Sequence, residues 1–152
     1  MVGGFPGGLE ILRDVIVFVI VEEILFFYSH WAFHLPFLYS KFHKIHHQFK
    51  SPIALAATYA HPLEVFLSNA LPLATGPLLL KSHFYTTLLW FVVAIIGTQY
   101  HHCGYKFLLW PEYWRQPKFH DFHHYSFNSN FGLLGHLDKL HKTFREYDKK
   151  DQ

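Results

Sequence analysis

The sequence predicts an all-α fold: an integral membrane helical bundle of about three apolar spans, with a cytosolic, histidine-rich helical cap that holds a di-metal site. Three observations carry that expectation. Hydrophobic residues make up 51% of the chain and aromatic ones 20%, a richness that soluble domains of this size seldom reach and that points to a bilayer. Long apolar stretches recur between short polar ones. The 14 histidines, more numerous than the 13 Lys and Arg, stand in repeated spacings.

Residues 1–152 read as a single domain, since 152 residues suit one unit and no linker or repeat divides them. Residues 3–8 are Gly-rich, without the basic start and small-residue cleavage site of a removable signal peptide, which is therefore not expected. Residues 9–28 form the first expected span, 20 residues mostly of Ile, Val, Leu and Phe and about 30 Å long as a helix. It carries Arg13 and Asp14 near one end, Glu22 and Glu23 near the other. Residues 63–100 predict a bent membrane helix pair. Pro72, Gly76 and Pro77 interrupt its first arm, and Lys81, Ser82 and His83 supply the polar turn before its second. Residues 101–152 are the cytosolic histidine-rich region.

Charge sets the expected orientation. If the first span delivers the chain to one side and the pair dips in and returns, residues 29–61 and 101–152 share a face. Those segments hold 11 of the 13 cations, and cytosolic loops are the ones enriched in Lys and Arg. They also hold 13 of the 14 histidines, all but His83. Lys149 and Lys150, fourth and third from the end, look like a dilysine retrieval signal of endoplasmic-reticulum membrane proteins. Cys103 is the one cysteine and can form no internal disulfide, which fits a reducing, cytosol-facing chain. The formal net charge of +2, with no basic run interleaved with aromatics, excludes a nucleic-acid partner.

"HKIHH" at 43–47 and "HDFHH" at 120–124 share one spacing. On a helix, positions i, i+3 and i+4 lie within about 100° of one another, so each motif turns three imidazoles toward one side, where a metal can sit. His30 and His34 add an i, i+4 pair. Two such motifs and a pair on one expected face are far from chance, and a tract that merely scavenges metal would be unpatterned. Imidazole suits Zn, Cu, Fe and Ni alike, and eight histidines exceed one tetrahedral site, so the count points to two ions of open identity.

"HWAFH", "HKIHH" and "HDFHH" in this order, with "YAHPLE" at 59–64 and "HCGY" at 102–105 between them, resemble the fatty acid hydroxylase/sterol desaturase superfamily of membrane non-haem di-iron oxygenases. Within it, "KIHHQFKSPIALAATYAHPLE" and "FHDFHHYSFNSNFGLLGHLD" resemble the C4-methylsterol oxidase branch. The resemblance implies two iron ions, O2 as co-substrate, and electrons from NAD(P)H through cytochrome b5 and its reductase. It also implies a sterol or other lipid substrate and an endoplasmic-reticulum membrane, with the active site facing the cytosol. Carried over by position, it makes His30, His34, His43, His46, His47, His120, His123 and His124 ligands, with His102 a ninth and His61 a tenth. The motif pattern departs at Trp31, where the family often has Arg, and at Lys142 and Thr143 in the C-terminal signature.

Other residues take supporting expectations. Glu23 precedes His30 by seven and His34 by eleven residues and shares their face, so its carboxylate is expected either to accept the free N–H of a ligand histidine or to sit as a snorkelling, interfacial group; Glu64 is a weaker case. Phe26, Phe27, Phe122, Phe127 and Phe131 are expected partly to wall a lipid cavity and partly to pack. His83, His101, His136 and His141 read as solvated or packing histidines. The expected activity is that of an O2-dependent oxidoreductase of the methylsterol monooxygenase type. The alternatives are a fatty-acyl or sphingolipid hydroxylase, or a non-catalytic metal-binding membrane relative; a metal transporter would need its ligands at mid-bilayer.

Overall fold

A computed structural model describes residues 4–105 and 116–146. Lys149 and Lys150, with Lys106 and Arg115 among the cations, lie outside them. The described residues are mostly helical and contain no strand.

Helix α1, Gly8–Phe33, contains the first apolar stretch. It stops where Leu35 turns to extended backbone before Pro36, the residue that opens α2, Pro36–Lys41. Two 3-10 helices follow, His43–Gln48 and Ala54–Thr58. The next apolar stretch is α3, Pro62–Leu80, with π-helical geometry over Val65–Ala70. Among the described residues it alone is long and apolar enough to cross a membrane. After it come α4, Phe84–His101, α5, Lys118–Ser126, and α6, His136–Leu140.

The expected bent pair is α3 and α4, and its residues explain its joints. Pro77 has no N–H to give the carbonyl four residues back, that of Leu73. The Trp90 indole of α4 donates to that carbonyl at 3.0 Å instead, tying the two arms together. Gly76 faces α1 so closely that a Cβ there would lie 2.8 Å from a Phe18 ring carbon. Lys81 adopts the left-handed conformation that ends α3, and the Ser82 N–H returns to the Pro77 carbonyl at 3.1 Å. His83 then caps α4, its Nδ1 accepting the Tyr85 N–H at 3.3 Å.

Polarity runs the reverse of a soluble protein. Leu12, Ile16, Ile20, Ile24 and Tyr28 form an exposed apolar stripe along α1, and Leu88, Leu89, Val92, Val93 and Ile96 another on α4. The buried set, by contrast, is rich in histidine and carboxylate, including Asp14, Glu23, Glu64 and Asp138. Such an exposed apolar area is larger than scattered surface hydrophobes require and marks a contact face.

Candidate metal centre

Nine histidines from four parts of the chain meet beneath the helices, in two groups. His30, His34, His43, His47 and His123 form one; His46, His102, His120 and His124 form the other. Within each group the ligand-capable atoms lie within 4.8 Å of one another. His30 comes from the last turn of α1 and His34 from its C-cap, His43 to His47 from the first 3-10 helix, His102 from the end of α4, and the rest from α5.

Each HxxHH motif therefore divides. The first and last histidines, His43 with His47 and His120 with His124, stay together, while His46 and His123 cross to the opposite group. This corrects the expectation that each motif turns its three rings to one point. On the α-helix that carries the second motif, the i+3 and i+4 positions lie about 100° apart, enough to separate His123 from His124 between two centres.

Hydrogen bonds fix which nitrogen each ring offers. The Nδ1–H of His30 donates to the Phe131 carbonyl at 2.7 Å, that of His123 to the Ser129 carbonyl at 2.7 Å, and that of His102 to the Thr98 carbonyl at 2.9 Å. His43 Nδ1–H donates to Glu64 Oε1 at 2.8 Å. A neutral imidazole has one proton, so each of these rings presents a bare Nε2. Burial, and then crowding by neighbouring imidazoles, keeps the rings neutral: His46, His120 and His123 are pushed well below the ordinary histidine value and His124 down to about 3.

The Nε2 atoms then approach one another. His34 to His43 is 2.8 Å, His43 to His47 3.0 Å and His34 to His123 3.2 Å in the first group. In the second, His102 to His120 is 2.9 Å, His120 to His124 3.2 Å and His102 to His46 3.3 Å. Lone pairs facing one another at such distances repel unless a cation lies between them. With metal–nitrogen bonds of about 2.0–2.1 Å, adjacent ligands stand roughly 3 Å apart, so this donor set fits two metal ions.

Comparison with known proteins assigns the family. The family model for Fatty acid hydroxylase matches residues 15–143. The chain belongs to the fatty acid hydroxylase family. It is 45% identical over 132 residues to a human fatty acid hydroxylase domain-containing protein 2, covering 87% of this chain and 38% of that one. It is 37% identical to a fatty acid hydroxylase of Mycosarcoma maydis, over 93% of this chain and 36% of that protein. It is 29% identical to a methylsterol monooxygenase of Arabidopsis thaliana, over 95% and 60%. The chain thus spans less than two fifths of the first two relatives. No solved structure matches it.

Two expected residues lie elsewhere. His61 joins neither group: it caps the start of α3, Nδ1 accepting the Leu63 N–H at 3.1 Å, with its ring against Phe42. Glu23 is buried on the face of His30, but seven residues are about 10 Å of helix, too far for its side chain to span. Its carboxylate instead accepts the backbone N–H groups of Leu133 at 2.9 Å and Leu134 at 3.2 Å. The carboxylate that does meet a ligand-group histidine is Glu64. Asp138, which sequence reasoning passed over, accepts the N–H groups of Phe131 at 2.8 Å and Gly132 at 2.9 Å. Its signal was position, in the "GHLD" that closes the quoted C-terminal motif. Together Glu23 and Asp138 hold four consecutive amides of the loop whose Phe131 carbonyl receives His30.

A cavity of about 150 Å³ adjoins His30, His46, His102 and His120. A second hollow of about 360 Å³, almost wholly apolar, lies between α1 and α4 and shares Glu22, Ala94, Thr98 and Leu133 with the first. Of the five phenylalanines expected around a lipid, Phe26 lines the cavity. Phe27, Phe122 and Phe131 are buried packing, and Phe127 stacks near His47 at 4.9 Å. His101 is buried and lines both hollows, and the His141 Nε2 lies 2.9 Å from the Tyr28 hydroxyl.

Proposed function

We propose that the chain is the metal-holding part of a membrane non-haem di-iron oxygenase that oxidises a sterol, in the manner of a C4-methylsterol oxidase. The observation that carries this is the division of nine largely buried, neutral imidazoles into two groups, one of which lines a cavity that shares wall residues with an apolar hollow. Family membership supports iron over the other metals that imidazole suits. The apolar stripes on α1 and α4 support three spans, α1, α3 and α4, with the histidine cap at their cytosolic end in the endoplasmic reticulum. Electrons would come from NAD(P)H through cytochrome b5 and its reductase.

Two bound iron ions would supply the activation of dioxygen for attack on an unreactive C–H bond. His30, His43, His102 and His123 would hold the ions, their Nδ1 bonds fixing ring orientation. Apolar walls would keep water from the reacting carbon, and the α1–α4 hollow would admit the lipid.

A fatty-acyl or sphingolipid hydroxylase is the second reading, favoured by the 37% identity to the Mycosarcoma maydis fatty acid hydroxylase. The test is to purify the chain, count its iron, and follow a 4-methylsterol with O2, NAD(P)H, cytochrome b5 and reductase. Iron in both groups with an oxidised 4-methyl group is the expected result. Iron without sterol product would favour the second reading, and a chain that takes up no iron would overturn the oxygenase.

A further inference from the structure

Glu22 lines both hollows. Its neighbour Glu23 is saturated by backbone amides, whereas the Glu22 carboxylate has no hydrogen-bond partner among the described residues. Glu22 is only half-buried, so the withheld acceptors are its neighbours in the cavity wall. Ser68 Oγ and Glu64 Oε2 are buried without partners, and both residues line the smaller cavity. Acceptors withheld from water and from protein are left for a ligand that donates.

Charge narrows the ligand. The described lining residues of the two hollows include Glu22, Glu23 and Glu64 and no Lys or Arg. A lipid carboxylate or phosphate brought there would face like charge in a medium that screens poorly. A hydroxyl would instead give its proton to a hydrogen bond with Glu22 and accept from Ser68. Because Glu22 and His46, His102 and His120 border one cavity of about 150 Å³, a hydroxyl held by Glu22 puts carbons only a few bonds away beside the second histidine group.

We propose that Glu22 is a specificity-determining residue that accepts a hydrogen bond from a substrate hydroxyl, so that the site takes neutral lipid alcohols and turns away free fatty acids. This rests on the reading of the chain as a lipid oxygenase. The alcohol could be a sterol or a ceramide, and the same hydrogen bond would serve either.

The test is equilibrium binding of tritiated lipids to the metal-loaded chain in nanodiscs. A 4-methylsterol and a ceramide are each compared with the methyl ether of the hydroxyl, and palmitate is added as competitor. At least one alcohol should bind about tenfold or more tightly than its ether, since the ether leaves Glu22 unpaired; which one does so identifies the source. Palmitate should compete poorly. Glu22→Leu should bring alcohol and ether within about twofold of each other at unchanged metal content, and Glu22→Gln, which keeps an acceptor oxygen, should retain part of the preference. Ethers binding as tightly as both alcohols, palmitate competing as well as the alcohols, or a preference surviving Glu22→Leu would each overturn the proposal. If Glu22→Leu does not fold, the wild-type comparison decides. A chain that binds neither metal nor lipid would overturn the oxygenase reading along with it, whereas one that binds both and ignores the hydroxyl overturns only the role of Glu22.

Discussion

The two histidine groups are built differently. The first has five rings, and three of them, His30, His43 and His123, are anchored through Nδ1 to Phe131, Glu64 and Ser129. The second has four, of which only His102 is anchored, to Thr98. Its His120 Nδ1 is without a partner, and those of His46 and His124 face the backbone of Tyr59 and Phe49 without closing a hydrogen bond. The second group contributes three rings to the cavity wall and the first only His30. Rigidity and ligand number thus favour the first group as the tighter metal site, while the second, with fewer rings and more freedom, is the one that lines most of the cavity.

The largest effects should come from removing ligands. His124→Ala leaves three rings in the second group, so its ion should be held more weakly, and bound metal should fall toward about half the wild-type value when metal is limiting. His47→Ala leaves four in the first group, which should still fill at saturating metal. Metal counting on both variants checks this, and equal losses would erase the distinction between the centres. Next in size is Glu64→Ala, which frees the His43 ring. Loss of such an outer partner typically weakens metal binding by about 10–100-fold. The loss should appear as one weakened site in a metal titration, with the other unchanged.

Acid should sharpen the same contrast. Burial sets the folded values of His46, His120 and His124 below the ordinary one, His124 to about 3. The unfolded chain therefore binds more protons than the folded one below about pH 6.5. Stability is fully present above that pH and falls as the medium is acidified toward the folded values. Metal retention followed from neutral pH to about pH 4.5 should show the less anchored second group emptying first. Simultaneous release would mean that anchoring does not separate them.

The histidine spacings made the residues of this centre legible, and the apolar stretches its helices, because both are local patterns. What they could not give was the assignment to groups. That depends on the angular difference between neighbouring positions within a motif and on how α5 meets the first 3-10 helix, two segments 70 residues apart. His61 misled because it sits in a quoted motif yet serves the N-terminus of α3. Glu23 misled in a different way. It shares the helical face of His30, but reach along the axis decides, and its partners lie 110 residues on, in a loop without periodicity. The same long-range pairing hid Asp138.

Glu23→Gln should give the smallest of these effects, and it separates holding a loop from holding a metal. The carboxylate offers two acceptor oxygens to the Leu133 and Leu134 amides, and glutamine offers one, placing its NH2 group against a donor. Losing one buried hydrogen bond of this kind costs about 1–3 kcal/mol. The cost should appear first as a lower unfolding midpoint. The loop also carries Phe131, the partner of His30, so its loosening should reach the first group at one remove and weaken metal there by less than Glu64→Ala does. The second group has no ring hydrogen-bonded to this loop and should be unaffected. An equal fall in affinity at both centres would show that the loop supports the cap as a whole, and that the anchored and unanchored groups are not independent.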